Sequence, residues 1–350
     1  MRTAPRRRAL RPLVAGAAAA LLLAACSTAT PEDAGTSPAA ADGGAFPVTL
    51  ENTFGETTIE QQPEAVASVA WGNHDVALAL GVAPVGMAAQ TYGDDDGDGI
   101  HPWTHEALEE LGATGDDLPV LFDETSGVDF EAVANTAPDV VLAAYSGLTE
   151  EEWTTLSEIA PTVSFPEIAW GTNWRDMALV NGRALGLEDE AEAEIADVEQ
   201  QIEDALADRP GIEGKTVAYA YLDPTDLSSF GVYTKIDARV QLLDDLGMSL
   251  APSIQAFEDD GLFYVDLSAE QADQIADADI FATYGDETTL ATLQAHPLLG
   301  KIPAIANGAV VVLQDGTPLA SATSGPTVLS VPWALDEYLD LFQAAAQNVK

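Results

Sequence analysis

The chain has 350 residues, of which 58 are acidic and 13 are basic, so its formal net charge at pH 7 is −45. A charge of this size repels nucleic acid and anionic lipid surfaces, which excludes both as electrostatic partners. Cys26 is the single cysteine in the sequence, so no disulfide framework can form and no cysteine remains for catalysis.

The first 45 residues indicate an exported protein and are not expected to belong to its folded domain. Residues 1–25 combine five arginines with an apolar run that is too short to span a membrane, which is typical of a secretory signal. The sequence Leu23-Ala24-Ala25-Cys26 resembles a bacterial lipobox, which implies that Cys26 is lipidated and begins the mature chain. The alternative is a soluble secreted protein with a free thiol. Residues 26–45 are rich in Ser, Thr, Ala, Pro and Gly and predict a flexible tether.

Residues 46–187 predict a first α/β lobe with a parallel sheet, because strand, short helix and strand follow one another within about 25 residues. The apolar runs predict a strand pair and then four strands, over 46–59, 63–70, 82–87, 138–144 and 161–165. Helical patterns lie between these strands, over 76–80, 129–137 and 148–160.

A long helix is predicted over 188–209. Apolar residues recur every three or four positions, acids crowd the first turn, and Pro210-Gly211 ends the pattern. At about 1.5 Å per residue, roughly 22 residues span about 33 Å, the breadth of a domain. We interpret this helix as a brace that joins two lobes.

Residues 210–350 predict the second α/β lobe. Strands are predicted over 215–222, 230–233, 263–267, 279–284 and 310–313, and helices over 238–246, 268–276 and 327–346. An internal repeat relates the lobes, since Glu131 and Glu270 each precede a tyrosine, Tyr145 and Tyr284, by 14 residues. Strand ends of parallel sheets face the ligand crevice, so both tyrosines are expected in one cleft. The two glutamates are expected at the opposite helix ends.

Three stretches carry a family resemblance. The run Ala-Leu-Gly-Val-Ala-Pro-Val-Gly within 66–87, Ala137-Pro138-Asp139-Val140-Val141-Leu142, and residues 156–163 resemble the substrate-binding proteins of bacterial iron-siderophore importers. The resemblance implies two Rossmann-like α/β lobes joined by one long helix, with a ferric siderophore bound between them. It further implies a membrane-anchored, extracytoplasmic, monomeric protein that delivers its ligand to an ABC permease and needs no cofactor.

The resemblance also implies that one exposed acid on each lobe docks onto basic residues of the permease, a role that falls to Glu131 and Glu270. The alternative is that both acids simply favour the N-termini of their helices. No nucleophile with a neighbouring base and no phosphate loop occurs in the sequence, so we expect no enzymatic activity.

Aromatic residues near predicted strand ends are the candidate ligand residues, because a large chelate needs broad apolar faces with a few fixed donors. Arginine suits anionic oxygens, and in the family the stretch that contains Trp174 and Arg175 lies at the cleft. Only eight basic residues remain after residues 1–25, which favours neutral hydroxamate chelates. The predicted ligand-binding residues are Trp71, Trp103, Tyr145, Trp170, Trp174, Arg175, Tyr221, Tyr233, Arg239 and Tyr284.

Two alternatives concern other ligands. Haem or a corrinoid would fit the same architecture, and haem would need an axial ligand such as His74, His101 or Tyr145. Residues 94–99 match the start of a calcium loop, but the twelfth position is His105 and not glutamate, so a metal-binding surface protein is the weaker alternative. A zinc site built on the histidines lacks an obvious further ligand.

Overall fold

The computed structural model describes residues 46–257 and 262–350, which belong to one compact unit. The predicted signal, the lipidation site at Cys26 and the tether therefore lie outside the described residues. Within them, no helix combines the length and the apolar character that a membrane span requires.

The first half of the chain forms a hairpin and a five-stranded parallel sheet. The strands are β1 Val48–Asn52, β2 Gly55–Ile59, β3 Val66–Ser68, β4 Gly86–Ala88, β5 Val120–Phe122, β6 Val140–Ala143 and β7 Thr162–Ser164. The sheet order is β5-β4-β3-β6-β7, as βαβ connections produce. The helices are α1 Asn73–Ala79, α2 Pro102–Glu110, α3 Phe130–Asn135, α4 Glu150–Ser157 and α5 Trp174–Leu185.

The long helix, α6, covers Glu188–Ala207 and begins where the sequence predicts. Its buried residues are Ala191, Ile195, Val198 and Ile202, which confirms the predicted apolar stripe. Gly182 of α5 lets the two helices approach, because a Cβ there would lie 2.6 Å from the Cβ of Ala191.

The second half forms a six-stranded mixed sheet. Its strands are β8 Thr216–Asp223, β9 Asp226–Tyr233, β10 Ser249–Leu250, β11 Tyr264–Ser268, β12 Ile280–Gly285 and β13 Val310–Gln314. The order is β11-β9-β8-β12-β13, with β10 beside β8; β9 is antiparallel to both of its neighbours. The helices are α7 Ala238–Asp245, α8 Pro252–Gln255, α9 Thr289–Ala295, α10 Pro303–Asn307, α11 Pro318–Ser324 and α12 Ser330–Ala346.

The predicted fold class, two α/β lobes, is confirmed. The helix predicted over 268–276 is a 3-10 helix, Ala269–Ile275, and several short elements such as α2 and β5 were not predicted. One apolar core runs through both halves of the chain. It includes Met177 of α5, Val198 of α6, Tyr219 of β8 and Phe342 of α12. Burial of this shared surface holds the two sheets in a fixed relation to α6.

Candidate ligand-binding cleft

Four loops of the first half bring together an aromatic group, which we call the tryptophan wall. Its members follow four adjacent strands of the sheet: Trp71 after β3, Tyr92 after β4, Tyr145 after β6 and Trp170 after β7. The rings of Trp71 and Tyr92 are parallel with centroids 6.5 Å apart, and Trp170 meets Trp71 at 6.0 Å and Tyr145 at 5.4 Å, edge to face. Trp71 is 42% exposed and Trp170 is 37% exposed, so the wall offers an apolar face to a ligand.

The two exposed tryptophans are held by unusual backbone conformations. Trp170 has φ +59°, and Trp71 stands between Ala70 at φ +60° and Gly72 at φ +71°. Residues other than glycine rarely adopt such values, and where they do the strain tends to lie at ligand sites. Gly72 is also required sterically, because a Cβ there would lie 2.6 Å from Thr327 Cγ2.

A second group, the tyrosine-arginine group, comes from the second half of the chain. It comprises Tyr233 at the end of β9, Arg239 in the first turn of α7 and Tyr284 near the end of β12. Arg239 Nε donates to Tyr284 Oη at 2.9 Å, Nη1 donates to Asp237 Oδ2 at 2.6 Å, and the guanidinium lies 4.3 Å from the Tyr233 ring centroid. Within the described residues, Nη2 has no hydrogen-bond partner, so it is available to a ligand oxygen.

The segment Ser324-Gly325 lies between the two groups. Ser324 Oγ forms a 2.8 Å hydrogen bond with Tyr284 Oη. A Cβ built on Gly325 would lie 3.5 Å from Tyr145 Cε1 and 3.6 Å from Trp71 Cε3. The tryptophan wall and the tyrosine-arginine group therefore border one cleft between the halves, with this segment at its base.

The phenols of Tyr92, Tyr145 and Tyr233 are neutral at physiological pH. Burial raises the pKa of Tyr233 to about 12. Burial also raises the pKa of Tyr145, and the nearby Asp237 carboxylate raises it further. Tyr92 Oη donates to Asp315 at 2.9 Å, and burial together with this bond raises the pKa of Tyr92. The cleft thus combines neutral hydroxyls with a single arginine, a donor set for ligand oxygens that needs no metal of its own.

Trp174 and Arg175, both predicted as ligand residues, are placed elsewhere. Trp174 is buried and its Nε1 donates to Asp245 Oδ2 at 2.8 Å. Arg175 Nη1 donates to the same carboxylate oxygen at 2.7 Å, and its Nε donates to Glu199 at 2.6 Å. These bonds tie α5 to α6 and to the C-terminal end of α7, whereas Arg239 lies at the other end of α7.

Trp103 lies behind the surface of the cleft, where it lines a small pocket together with Trp71 and Gly325. It is buried, stacks on His101 at 4.3 Å and donates from Nε1 to Asp75 Oδ2 at 2.8 Å. Asp75 also accepts hydrogen bonds from Thr104 and Thr327, at 2.7 Å each. Trp103 therefore supports the cleft from behind, through a buried carboxylate that joins α1, α2 and the segment before α12.

Tyr221 lies at the outer margin, on the same face of the sheet as Tyr233. It is 56% exposed and pairs across β8 and β9 with Gly231. The ring of Tyr264, itself 52% exposed, lies over Gly231, where a Cβ would be 3.2 Å from its Cδ2. Tyr221 is thus a peripheral neighbour of the cleft.

Glu131 and Glu270 are exposed in the first turns of α3 and of the 3-10 helix Ala269–Ile275. A helix that connects two parallel strands starts at the edge where the first strand ends. Both glutamates therefore lie at the same sheet edges as Tyr145 and Tyr284, and the expectation of opposite ends is wrong.

The acidic loop after β4 gathers Asp94, Asp96 and Asp98, whose nearest carboxylate oxygens all lie within 4.8 Å of one another. The Asp94 carboxylate accepts the backbone N–H groups of Gly97 and Gly99, at 2.7 and 2.9 Å. These bonds account for the depressed pKa of Asp94 and for the loop's shape without an ion.

Tyr92 is a loop aromatic after a strand, so the rule that selected Trp71 also makes it a candidate, although it stands outside the predicted ligand-binding set. Three other cleft residues were missed at the level of the sequence. Asp237 caps α7 by accepting the Arg239 N–H at 2.9 Å, a role that its place before a helix indicates. Ser324 and Gly325 carry no local signal, because only the packing of α11 brings them to the cleft.

Two α/β lobes around an aromatic cleft define a ligand-binding protein of the bilobal class. The periplasmic binding protein family matches residues 66–317, and the chain belongs to that family. The resemblance drawn from the sequence is therefore confirmed.

Individual relatives agree with this assignment. The crystal structure of PiaA from Streptococcus pneumoniae TIGR4 in complex with ferrichrome is 44% identical, covers 86% of this chain and 99% of that chain, and has a TM-score of 0.83. The ferric enterobactin-binding periplasmic protein FepB of Escherichia coli O6:H1 is 25% identical over 293 residues, which are 80% of this chain and 87% of that protein. SirA of Staphylococcus aureus complexed with staphyloferrin B, at 21% identity and a TM-score of 0.61, covers 87% of this chain and 99% of its own and shares the fold.

Proposed function

We propose that the protein is the substrate-binding lipoprotein of an ABC importer, and that it binds a neutral ferric hydroxamate siderophore of the ferrichrome type in the cleft. The observation that carries this proposal is the pairing of the tryptophan wall with Arg239, Tyr233 and Tyr284 across one cleft. The 44% identity to PiaA, whose structure contains ferrichrome, supports the same ligand class.

The charges of the cleft favour a neutral chelate. Arg239 is the cation of the tyrosine-arginine group, and Asp237 already neutralises it at 2.6 Å. Asp315 adds an acid beside Tyr92. The cleft has too little positive charge to offset the negative charge of a strongly anionic ferric catecholate. A neutral hydroxamate needs only hydrogen bonds from Arg239 and the phenols. We therefore favour hydroxamates over the catecholate class that FepB's name indicates.

Haem is a poorer fit because the histidines nearest the cleft are not available as axial ligands. His74 is buried beneath the Trp71 turn. His101 is also buried, and its Nε2 lies 2.9 Å from Tyr92 O and 3.0 Å from Ser321 Oγ.

Delivery to a permease completes the proposal. Lipidation at Cys26 would anchor the monomer on the extracytoplasmic face, with residues 26–45 as the tether. Glu131 and Glu270 are exposed at the sheet edges that border the cleft, where one permease surface can meet both. We assign residues 46–187 and 210–350 as the lobes, with α6 as the brace, and no chemical change to the ligand.

Calorimetric titration of residues 27–350 with ferrichrome, iron-free ferrichrome, a ferric catecholate and haemin tests the ligand. We expect saturable binding of ferrichrome alone. Arg239→Gln should weaken it by roughly 10- to 100-fold, because a hydrogen bond to a charged group contributes about 1.5–3 kcal/mol. Arg175→Gln is the matched control, since that guanidinium is engaged by Glu199 and Asp245, and its affinity should equal that of the wild type. Equal losses in both variants, or tight binding of haemin alone, would contradict the proposal.

A further inference from the structure

A carboxylate outside the ligand set holds the turn that carries Trp71. Glu124 follows β5 and reaches past the end of β4, so that its Oε2 accepts the backbone N–H of Ala70 at 2.9 Å. Ala70 is the residue with φ +60° directly before Trp71. Because Ala70 adopts this left-handed conformation, its backbone N–H does not join the hydrogen bonds of the parallel sheet. The Glu124 carboxylate accepts that N–H instead.

Glu124 has no cationic partner among the described residues. Its other oxygen, Oε1, is buried without a hydrogen-bond partner. The charged groups that act on it are Glu152 on α4 and Asp129 at the start of α3, both acids; the neighbouring Asp123 is exposed and accepts from Thr125. An ionised carboxylate in this half-buried position has one backbone N–H as its partner and, in the described part of the chain, no cation, and its Oε1 is cut off from hydrogen bonds, so the charge is costly.

We propose that Glu124 is a positioning residue for the cleft: by accepting the Ala70 N–H it holds the strained turn that projects Trp71 toward the ligand. The effect of Glu124 on ligand affinity rests on the proposed function. The structural part of the proposal, the orientation of Trp71, can be measured without any ligand.

The electrostatics of Glu124 make this positioning depend on pH. The pKa of Glu124 is raised to about 7: burial contributes most, Glu152 and Asp129 add to the rise, and the hydrogen bond from the Ala70 N–H partly opposes them. Because the pKa is raised when the turn is docked, the docked turn is favoured while Glu124 is protonated, and the preference is lost as the pH rises through about 7. If undocking exposes Glu124 and restores its ordinary pKa of 4.5, docking weakens by at most about tenfold between pH 6 and pH 8.

The test uses residues 27–350 without ligand. The emission of Trp71 is isolated by difference against Trp71→Phe in each background, and its accessibility is measured by acrylamide quenching. We expect Glu124→Ala to increase the quenching of Trp71 at least twofold. In the wild type, the Trp71 emission should change with a midpoint near pH 7, whereas Glu124→Gln, which keeps an acceptor for Ala70 but cannot ionise, should show no such transition.

Asp139→Ala is the matched control. The Asp139 carboxylate accepts the backbone N–H groups of Glu64 and Ala65 at 3.0 Å each, before the start of β3 and away from the cleft. It should lower the melting temperature and leave both the Trp71 quenching and the pH transition unchanged. If Asp139→Ala alters Trp71 as Glu124→Ala does, Glu124 has only a general structural role and the proposal is overturned.

Two further outcomes would also overturn it. In the first, the acrylamide quenching of Trp71 in Glu124→Ala equals that in the wild type. In the second, the pH transition of the Trp71 emission persists in Glu124→Gln. Glu124→Gln keeps the proposal testable if Glu124→Ala fails to fold. Ferrichrome titrations at pH 6 and pH 8 then measure the consequence: affinity should fall with pH in the wild type and stay constant in Glu124→Gln. If ferrichrome binds neither protein, the proposed ligand is wrong while the Trp71 result still decides the role of Glu124.

Discussion

Gly325 offers a perturbation that separates ligand binding from stability. Its φ is −132° and its ψ is 74°, so an alanine is compatible with the backbone. The added Cβ would make ordinary contacts, 3.5 Å to Tyr145 and 3.6 Å to Trp71. Gly325→Ala should therefore stabilise the ligand-free protein by about 0.4–1 kcal/mol, because it restricts the unfolded chain.

The same methyl group occupies the base of the cleft. Overpacking a close-fitting site costs about 1–3 kcal/mol, so we expect the affinity for ferrichrome to fall by roughly 5- to 150-fold. Urea unfolding measures the first effect and calorimetric titration the second. Gly325→Leu should abolish binding while the protein remains folded. Unchanged ferrichrome affinity in both variants would refute the placement of the ligand between Trp71 and Tyr284.

Two further predictions concern stability. Asp245→Asn replaces the carboxylate that accepts hydrogen bonds from Trp174 and Arg175. We expect the free energy of unfolding in urea to fall by about 1.5–3 kcal/mol and the ferrichrome affinity to stay unchanged. A loss of affinity would mean that Trp174 and Arg175 do contribute to the binding site. Burial lowers the pKa of His74 below its ordinary 6.5, against the opposing effect of Asp75. Folding stability should therefore decrease as the pH falls below 6.5, less so in His74→Gln, and equal acid sensitivity in both proteins would contradict this account.

The sequence predicted those helices and strands whose pattern of residues is visible locally, without knowledge of long-range packing. Buried parallel strands are short apolar runs, so β6 and β12 follow from composition alone. The stripe of α6 is long enough to show its period. By contrast, α2 and β5 were not predicted. β5 lies at the edge of the sheet beside β4, and one of its three residues is buried, so it lacks the continuous apolar run of a central strand.

The cleft was predicted in outline but not in detail. Trp71, Tyr145, Trp170 and Tyr284 could be selected because the ends of parallel strands converge at one edge. Tyr233 ends β9, which is antiparallel to both of its neighbours, so that rule does not account for its place in the cleft. The sequence could not distinguish Arg239 from Arg175, since each follows an aromatic residue or a strand and only the tertiary contacts decide which guanidinium lies beside Tyr233 and Tyr284. The acids that pair with Arg175, Glu199 and Asp245, lie 24 and 70 residues away.

The contacts between the halves limit how the cleft can open. Thr327, next to α12, donates to Asp75 of α1 at 2.7 Å, and Arg175 of α5 is paired with Asp245 of α7 at 2.7 Å. The apolar core that includes α6 is shared by both halves, and exposing it would cost about 25 cal/mol for each Å². A wide hinge motion would have to break both polar contacts and open this core. We therefore expect ligand entry through a small rocking of the lobes.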